Sequence, residues 1–176
     1  MSNIVVYESK YGSTEKYAKW IAQELNCKAS KLREINLEEL KNYDNIIFGG
    51  WIHAGKLEGF KIIQQHKEKL KDKKLLVYAV GLAGVEDPQY QEFKEKNFKE
   101  FNNIQSFYLR GAFHFNSLKL KDKVMMSAFK MILKRHKPEK RDESTISMMN
   151  NNAKPVDFTN KEAIEPILKA IESSSL

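Results

Sequence analysis

Short apolar runs alternate with amphipathic stretches along most of this chain of 176 residues. The apolar runs have the composition of buried strands and predict five of them, at residues 3–8, 28–35, 44–49, 74–81 and 104–115. The amphipathic stretches predict helices at residues 13–26, 57–70, from 87 onwards and 160–172. Strands separated by helices in this way predict an α/β fold, doubly wound around a parallel sheet.

The length and the composition predict one domain. A chain of 176 residues that is 41% hydrophobic is long enough for one core and too short for two comfortable ones. It contains no apolar run near the ~20 residues of a membrane span, and no secretory signal pattern precedes the first predicted strand. Cys27 is the only cysteine, which suits a reducing compartment. These features are typical of a cytoplasmic protein.

The segment that follows the first predicted strand has the composition of a phosphate-binding loop. It leads directly into a predicted helix and consists of Ser9, Lys10, Tyr11, Gly12, Ser13 and Thr14. Its serine and threonine hydroxyls can donate to phosphate oxygens, and its glycine lets the backbone approach closely. The start of the helix adds backbone N–H groups and the positive end of the helix dipole.

The composition of this loop favours a single terminal phosphate. The loop lacks the Gly-Lys-Ser/Thr ending of a nucleoside triphosphate site and the spaced glycines of a dinucleotide site. A monophosphate held by hydroxyl and amide groups fits better. The alternative is an ordinary strand-to-helix turn in which Ser13 is the N-cap of the helix.

Two glycine-rich segments are predicted to be loops after the third and fourth strands. The first runs from Gly49 to Lys56 and carries Trp51, and the second runs from Gly81 to Val85. The carboxyl ends of parallel strands meet at one edge of a doubly wound sheet, and ligands bind there. The three segments together predict a site for a flat aromatic ligand with a phosphate tail.

The net charge of +7 is concentrated in one part of the chain. Residues 117–141 contain nine lysines and arginines against two acids, and the rest of the chain is neutral. Residues 117–158 also interrupt the alternation, which predicts an insertion with a basic amphipathic helix from Leu120 to Arg135. Such a helix suits an anionic partner, and the alternative is a solvated, lysine-rich face. No nucleic acid partner is expected, because the segment lacks a recognition motif.

The chain resembles a known family in its first loop and in its five strand–helix units. Both features are similar to flavodoxin-like domains, which bind FMN on a sheet of strand order 2-1-3-4-5. Within that group the chain most resembles the quinone-dependent protoporphyrinogen IX dehydrogenases. Three segments carry this finer resemblance, namely residues 47–56, 109–113 and 121–134. The resemblance implies a flavodoxin-like fold with an insertion after or within the fifth strand.

The resemblance also implies FMN as the cofactor and assigns residues to its two ends. The loop from Ser9 to Thr14 would hold the phosphate. The other two segments would surround the isoalloxazine ring, through Gly50, Trp51, Ile52, His53, Ala54, Gly55, Gly81, Leu82, Ala83 and Gly84. Trp51, where the family has a small residue, either stacks on the flavin or packs on the helix predicted at residues 57–70. His53, often arginine in the family, either contacts the flavin or is an exposed loop residue.

Two functions fit this interpretation. In the first, the protein is an FMN-dependent oxidoreductase that passes electrons from a hydrophobic donor, such as a porphyrinogen, to a quinone. The segment from Leu120 to Lys137 would then bind an anionic surface at the inner face of the membrane. In the second, it is a flavodoxin-type electron carrier between redox partner proteins, without a substrate of its own. No catalytic side chain is assigned, because the flavin carries the chemistry, and no metal site, because the histidines lack ligand spacing.

Overall fold

The computed structural model describes residues 1–82, 88–99, 104–133, 146, 149 and 154–173. Its strands are β1 (Asn3–Tyr7), β2 (Lys28–Lys31), β3 (Asn45–His53), β4 (Lys56–Leu57), β5 (Lys74–Gly81), β6 (Gln105–Arg110), β7 (Ala112–Phe113) and β8 (Val156–Asp157). Within these residues a parallel sheet has the order β2-β1-β3-β5-β6, and β4 pairs antiparallel with β3. Counting the parallel strands alone gives the order 2-1-3-4-5, which confirms the predicted fold class.

The described helices are α1 (Ser13–Glu24), α2 (Phe60–Gln65), α3 (Pro88–Phe98), α4 (Leu120–Leu133) and α5 (Glu165–Glu172). Helices α1, α2, α3 and α5 cover the two faces of the sheet. Side chains alternate along each strand, so each face of the sheet carries its own apolar core. One core combines the sheet with α1 and α5 through Tyr17, Ile21 and Ile167. The other combines it with α2 and α3 through Phe60 and Phe93.

Two elements near the start of the chain are shorter than predicted. The strand predicted at residues 28–35 ends at Lys31, because a 3-10 turn at Leu32–Glu34 directs Leu32 into the core. The helix predicted at residues 13–26 ends at Glu24, and Asn26 beyond it has a φ of 46°. That left-handed backbone cannot continue a right-handed helix.

Two later elements are divided in the structure. The segment predicted as a helix at residues 57–70 contains β4, α2 and a 3-10 turn at Lys67–Leu70. Gly59, with a φ of 81°, separates β4 from α2, and a Cβ there would press on Leu32 and Phe48. The strand predicted at residues 104–115 ends at Arg110, and β7 pairs with β8 outside the parallel sheet.

The chain divides into two compact units. The first comprises Met1–Arg110 and Thr159–Leu176 and contains the parallel sheet. The second comprises Gly111–Phe158 and contains β7, β8 and α4. Inside the second unit, the Phe158 N–H donates to the Gly111 carbonyl at 3.2 Å, beside the β7–β8 pair. The predicted insertion lies within this unit, and its helix begins at Leu120 as predicted.

The remaining predictions about the insertion concern residues that are only partly described. Its polar half, at residues 138–155, lies mostly outside the described ranges, as do residues 134–137. The organisation of the whole chain as one domain with an insertion stays a prediction. In the part of the chain that the structure describes, no helix is both long enough and apolar enough to cross a bilayer.

Candidate functional site

The candidate site lies where the order of the strands reverses. The chain runs from β1 to β2 on one side and then returns to β3 on the other side of β1. Tyr7, Gly49 and Tyr78 lie side by side in the registers of β1, β3 and β5. The segments that follow these three strands therefore leave the same edge of the sheet next to one another. This switch point is the usual ligand site of a doubly wound fold.

The first segment forms an open loop at the start of α1. Gly12 is the N-cap residue, with a φ of 94° and a ψ of −23°, and as a glycine it has no side chain to cap the helix. The Gly12 N–H donates to the Ser9 Oγ at 3.2 Å, which closes the turn. A Cβ at Gly12 would meet nothing within 4 Å. Ser13 is not the N-cap residue, because it is already in the first turn of α1.

Thr14 lies beneath this loop and is held by a residue of β5. Thr14 is only 2% exposed, and its carbonyl accepts a hydrogen bond from the buried Tyr78 hydroxyl at 3.1 Å. The Tyr78 ring passes under Gly49, where any Cβ would overlap it. Burial raises the pKa of Tyr78 well above 10.0, so its hydroxyl stays a donor. Tyr78 lies in the strand predicted at residues 74–81, but the sequence could not show that it supports the loop.

Charged side chains of α1 form an ion pair and a hydrogen bond near the start of the helix. The Glu15 carboxylate pairs with Lys19 at 2.6 Å, and this hydrogen bond lowers the pKa of Glu15. The Lys16 ammonium donates to the Thr159 hydroxyl at 2.6 Å. The only acid in the first turn of α1 therefore has a cationic partner one turn further on. This pairing reduces its repulsion of an anion at the start of the helix.

The second segment is a hairpin, not the loop that was predicted. Gly50, Trp51, Ile52 and His53 continue β3, and the chain turns back at Ala54 and Gly55 into β4. Ala54 and Gly55 have φ values of 48° and 73°, which suit a tight two-residue turn. The glycine at position 50 is needed for close packing, since a Cβ there would lie 2.6 Å from the Glu58 carbonyl oxygen.

An aromatic cluster joins the hairpin to the first loop. The Trp51 ring lies 4.8 Å from the His53 ring and 6.5 Å from the Tyr11 ring, in edge-to-face arrangements. The Lys10 ammonium lies 5.6 Å from the centre of the Tyr11 ring and 5.3 Å from that of Trp51. Trp51 and His53 are partly exposed, whereas Ile52 packs against the core. The structure thus brings together Lys10, Tyr11, Trp51 and His53, as the sequence predicted for one site.

Asn97 of α3 holds the hairpin and was missed by sequence analysis. Its side-chain oxygen accepts from the Leu57 N–H at 3.1 Å. Its side-chain nitrogen donates to the Gly55 carbonyl at 3.1 Å and to the Phe93 carbonyl at 2.8 Å. One half-buried amide therefore ties the turn and β4 of the hairpin to α3. The sequence offered no signal for this role, because Asn97 is one polar residue on an amphipathic helix.

The third segment is described only at its start. Gly81 ends β5, and Leu82 follows it, whereas Ala83 and Gly84 lie outside the described residues. The Arg110 guanidinium, at the end of β6, donates to the Leu82 carbonyl at 3.4 Å. Arg110 was part of a segment with family resemblance but was not assigned to the site. Its position adds a positive charge at this edge of the sheet.

No metal centre emerges from these residues. Across the described ranges, no group of three or more histidine, cysteine, aspartate or glutamate side chains could hold a metal ion. The donors at the switch point are hydroxyl groups, backbone N–H groups and cations, which suit an anionic ligand.

The fold and the site define a class: a doubly wound α/β domain with an open loop and an aromatic cluster at its switch point. The family model described as Flavodoxin domain matches residues 4–141. The chain therefore belongs to the flavodoxin-domain family.

The comparisons also found similar proteins. An uncharacterized protein of Methanocaldococcus jannaschii is 29% identical over 125 residues, which cover 68% of this chain and 82% of that protein. The structure of a flavodoxin, WrbA-like protein from Agrobacterium tumefaciens has 17% identity and a TM-score of 0.48, covering 70% of this chain and 88% of that one. Two-electron reduced Megasphaera elsdenii flavodoxin has 19% identity and a TM-score of 0.48, covering 60% and 82%.

Proposed function

We propose that the protein binds FMN at the switch point and uses it to transfer electrons. The observation that carries this proposal is the start of α1. Its N-cap residue is Gly12, which lies in the left-handed region and has no side chain to cap the helix. The first-turn N–H groups and the helix dipole then favour a phosphate there. The loop has space for it around Gly12. The adjacent cluster of Tyr11 and Trp51 supplies an aromatic wall for a flat ring.

Each part of the site has a distinct role in this proposal. The hydroxyls of Ser9 and Ser13 donate to the phosphate, and Tyr11 and Trp51 flank the ring. Lys10, which lies over both aromatic rings, adds a positive charge beside the flavin. When bound, FMN supplies the reversible uptake and release of one or two electrons. A nearby cation favours the electron-rich reduced state and raises the reduction potential.

The finer proposal is an oxidoreductase that transfers electrons from protoporphyrinogen IX, or a similar hydrophobic donor, to a quinone. Its support is the resemblance of residues 47–56, 109–113 and 121–134 to quinone-dependent protoporphyrinogen IX dehydrogenases. Arg110, in the second of these segments, lies beside Leu82 at the ring site and suits a propionate of the donor. Oxidation of protoporphyrinogen IX to protoporphyrin IX releases six electrons and six protons, so three quinones each take up two electrons and two protons and become quinols.

A flavodoxin-type electron carrier is the second candidate. Tyr11 at the edge of the site is 40% exposed, so a partner protein could approach the ring directly. Acidic carriers dock on basic partners. This chain has a positive net charge, so as a carrier it would dock on an acidic partner. A carrier would exchange electrons with proteins and would not turn over a small donor.

Anaerobic turnover distinguishes the two candidates. FMN-loaded protein is mixed with protoporphyrinogen IX and menadione, and protoporphyrin fluorescence is followed. We expect product formation that needs both FMN and menadione. Arg110→Gln should raise the KM for the porphyrinogen, whereas Lys61→Gln, an exposed change on α2, should not. A protein that loads FMN but forms no protoporphyrin above the spontaneous rate would favour the carrier, and a protein that does not load FMN would refute both.

A further inference from the structure

One face of α4 in the second unit exposes apolar side chains. Leu120 is 78% exposed, and Val124 and Met131 are each 66% exposed. These three positions are separated by four and seven residues, so they project from the same side of the helix. Ser127 and Ala128, also exposed, lie on this side as well. We call the surface formed by Leu120, Val124 and Met131 the apolar face of α4.

Lysines border the apolar face on both sides. With about 100° between successive residues, Lys121 lies roughly 80° from the centre of the face in one direction, and Lys123 lies roughly 80° from it in the other. Lys130 lies on the same flank as Lys123, and their ammonium groups lie 4.3 Å and 5.9 Å from the centre of the Phe115 ring. Asp122, the acid of this helix, is buried on the opposite side. The exposed side of α4 is therefore apolar in the middle and cationic at its edges.

We propose that α4 lies flat on an anionic lipid bilayer. Its apolar face would enter the boundary between headgroups and acyl chains, and the flanking lysines would contact lipid phosphates. This is the distribution that interfacial helices use. Nucleic acid fits less well, because it would leave Leu120, Val124 and Met131 without an apolar environment. An acidic protein would match the charge of the lysines. A lipid surface matches both the charge and the apolar face, and it needs no groove shaped to the helix.

This inference deepens the proposed function, since a membrane quinone or a hydrophobic donor would be met at that surface. Its test does not depend on the flavin. Lipid binding can be measured on protein without FMN, so failure of the lipid proposal and failure of the FMN proposal are separate results.

The experiment is co-sedimentation with vesicles of phosphatidylcholine containing phosphatidylglycerol, compared with phosphatidylcholine alone. We expect binding to the anionic vesicles at low salt, at least tenfold weaker binding to the neutral ones, and loss of binding as salt screens the charges. Charge reversal at Lys121 and Lys130 together should weaken binding by more than tenfold. Loss of one lysine contact alone weakens binding about fivefold, and the two losses multiply. Reversal at Lys41 and Lys61, exposed lysines of the first unit, changes the net charge equally and should have a much smaller effect.

The apolar face has its own test. Val124→Trp should emit at shorter wavelength when anionic vesicles are added, and Val124→Ser with Met131→Ser should bind them several-fold more weakly than the wild type. Circular dichroism checks that each variant keeps its helix content. The proposal is overturned if the wild type ignores anionic vesicles at low salt, if both lysine pairs have equal effects, or if the serine variant binds as the wild type does. The second of these results would indicate attraction by net charge alone.

Discussion

Replacing Asn97 with alanine should loosen the β3–β4 hairpin of the candidate site. The change removes the acceptor of the Leu57 N–H and the donor to the Gly55 carbonyl, both at 3.1 Å. Each such hydrogen bond contributes about 0.5–1.5 kcal/mol, so the free energy of unfolding should fall by about 1–3 kcal/mol. Alanine favours a helix more than asparagine does, which offsets a few tenths of a kcal/mol.

The hairpin also carries Trp51, so the change should reach the ligand site. Riboflavin, which lacks the phosphate, should bind Asn97→Ala more weakly. If about 1 kcal/mol of the lost stability must be recovered to order the hairpin, the affinity falls about fivefold. Inorganic phosphate should bind equally well to both proteins, because the Asn97 amide makes its hydrogen bonds to Gly55, Leu57 and Phe93 and not to the loop at Gly12.

Urea unfolding and fluorescence titration measure both effects. Glu95→Ala is the matched control, because Glu95 is exposed on the same helix and its change should stay within about 0.5 kcal/mol. Trp20→Phe as a background leaves Trp51 as the single tryptophan, so its emission reports on the hairpin. The reasoning is refuted if Asn97→Ala and Glu95→Ala unfold at the same urea concentration and bind riboflavin with the same affinity.

Other substitutions test the loop, the packing and the charge of the site. Ser13→Ala should weaken FMN binding by about 1.5–3 kcal/mol, through the phosphate hydrogen bond that it removes, and leave riboflavin binding unchanged; equal losses for both ligands would mean that this loop does not hold the phosphate. Gly49→Ala should lower the Tm sharply, because its Cβ would overlap the Tyr78 ring. His53→Glu should lower the reduction potential of bound FMN by about 30 mV for each 1.4 kcal/mol of lost stabilisation, and an unchanged potential in spectroelectrochemistry would place this side chain away from the ring. Because burial raises the pKa of Tyr78 above its unfolded value of 10.0, stability should be complete below that pH and decline above it; urea midpoints measured with and without Tyr78→Phe should show the difference.

The fold followed from the sequence because buried parallel strands are nearly continuous apolar runs. The strand predicted at residues 74–81 has the observed bounds of β5. The end of β3 could not be predicted in the same way, since Gly49 and Gly50 look like the start of a loop. The structure shows why they continue the strand: the Tyr78 ring on one side and Leu57 on the other occupy the space that side chains would need.

The sequence assigned residues to the candidate site but could not identify the residues that hold them in place. The residues that meet there follow strands whose carboxyl ends share an edge, so their grouping could be inferred from the order of the elements. Tyr78 and Asn97 act on residues 64 and 40 positions away, through registers that no local pattern encodes. The sequence predicted a basic amphipathic helix at α4 but not its apolar face, because the exposure of each apolar residue depends on which side of the helix packs within its unit.

Equilibrium binding of FMN, riboflavin and FAD to the flavin-free protein tests the central claim most directly. Flavin fluorescence and the emission of Trp51 report on the ring end of the site, and the comparison of FMN with riboflavin reports on its phosphate end. The account predicts that FMN binds more tightly than riboflavin by at least tenfold, because the loop at the start of α1 holds its phosphate, and that FAD gains nothing from its adenylate. Binding of FMN that is no tighter than that of riboflavin, or no binding of FMN at all, would contradict it.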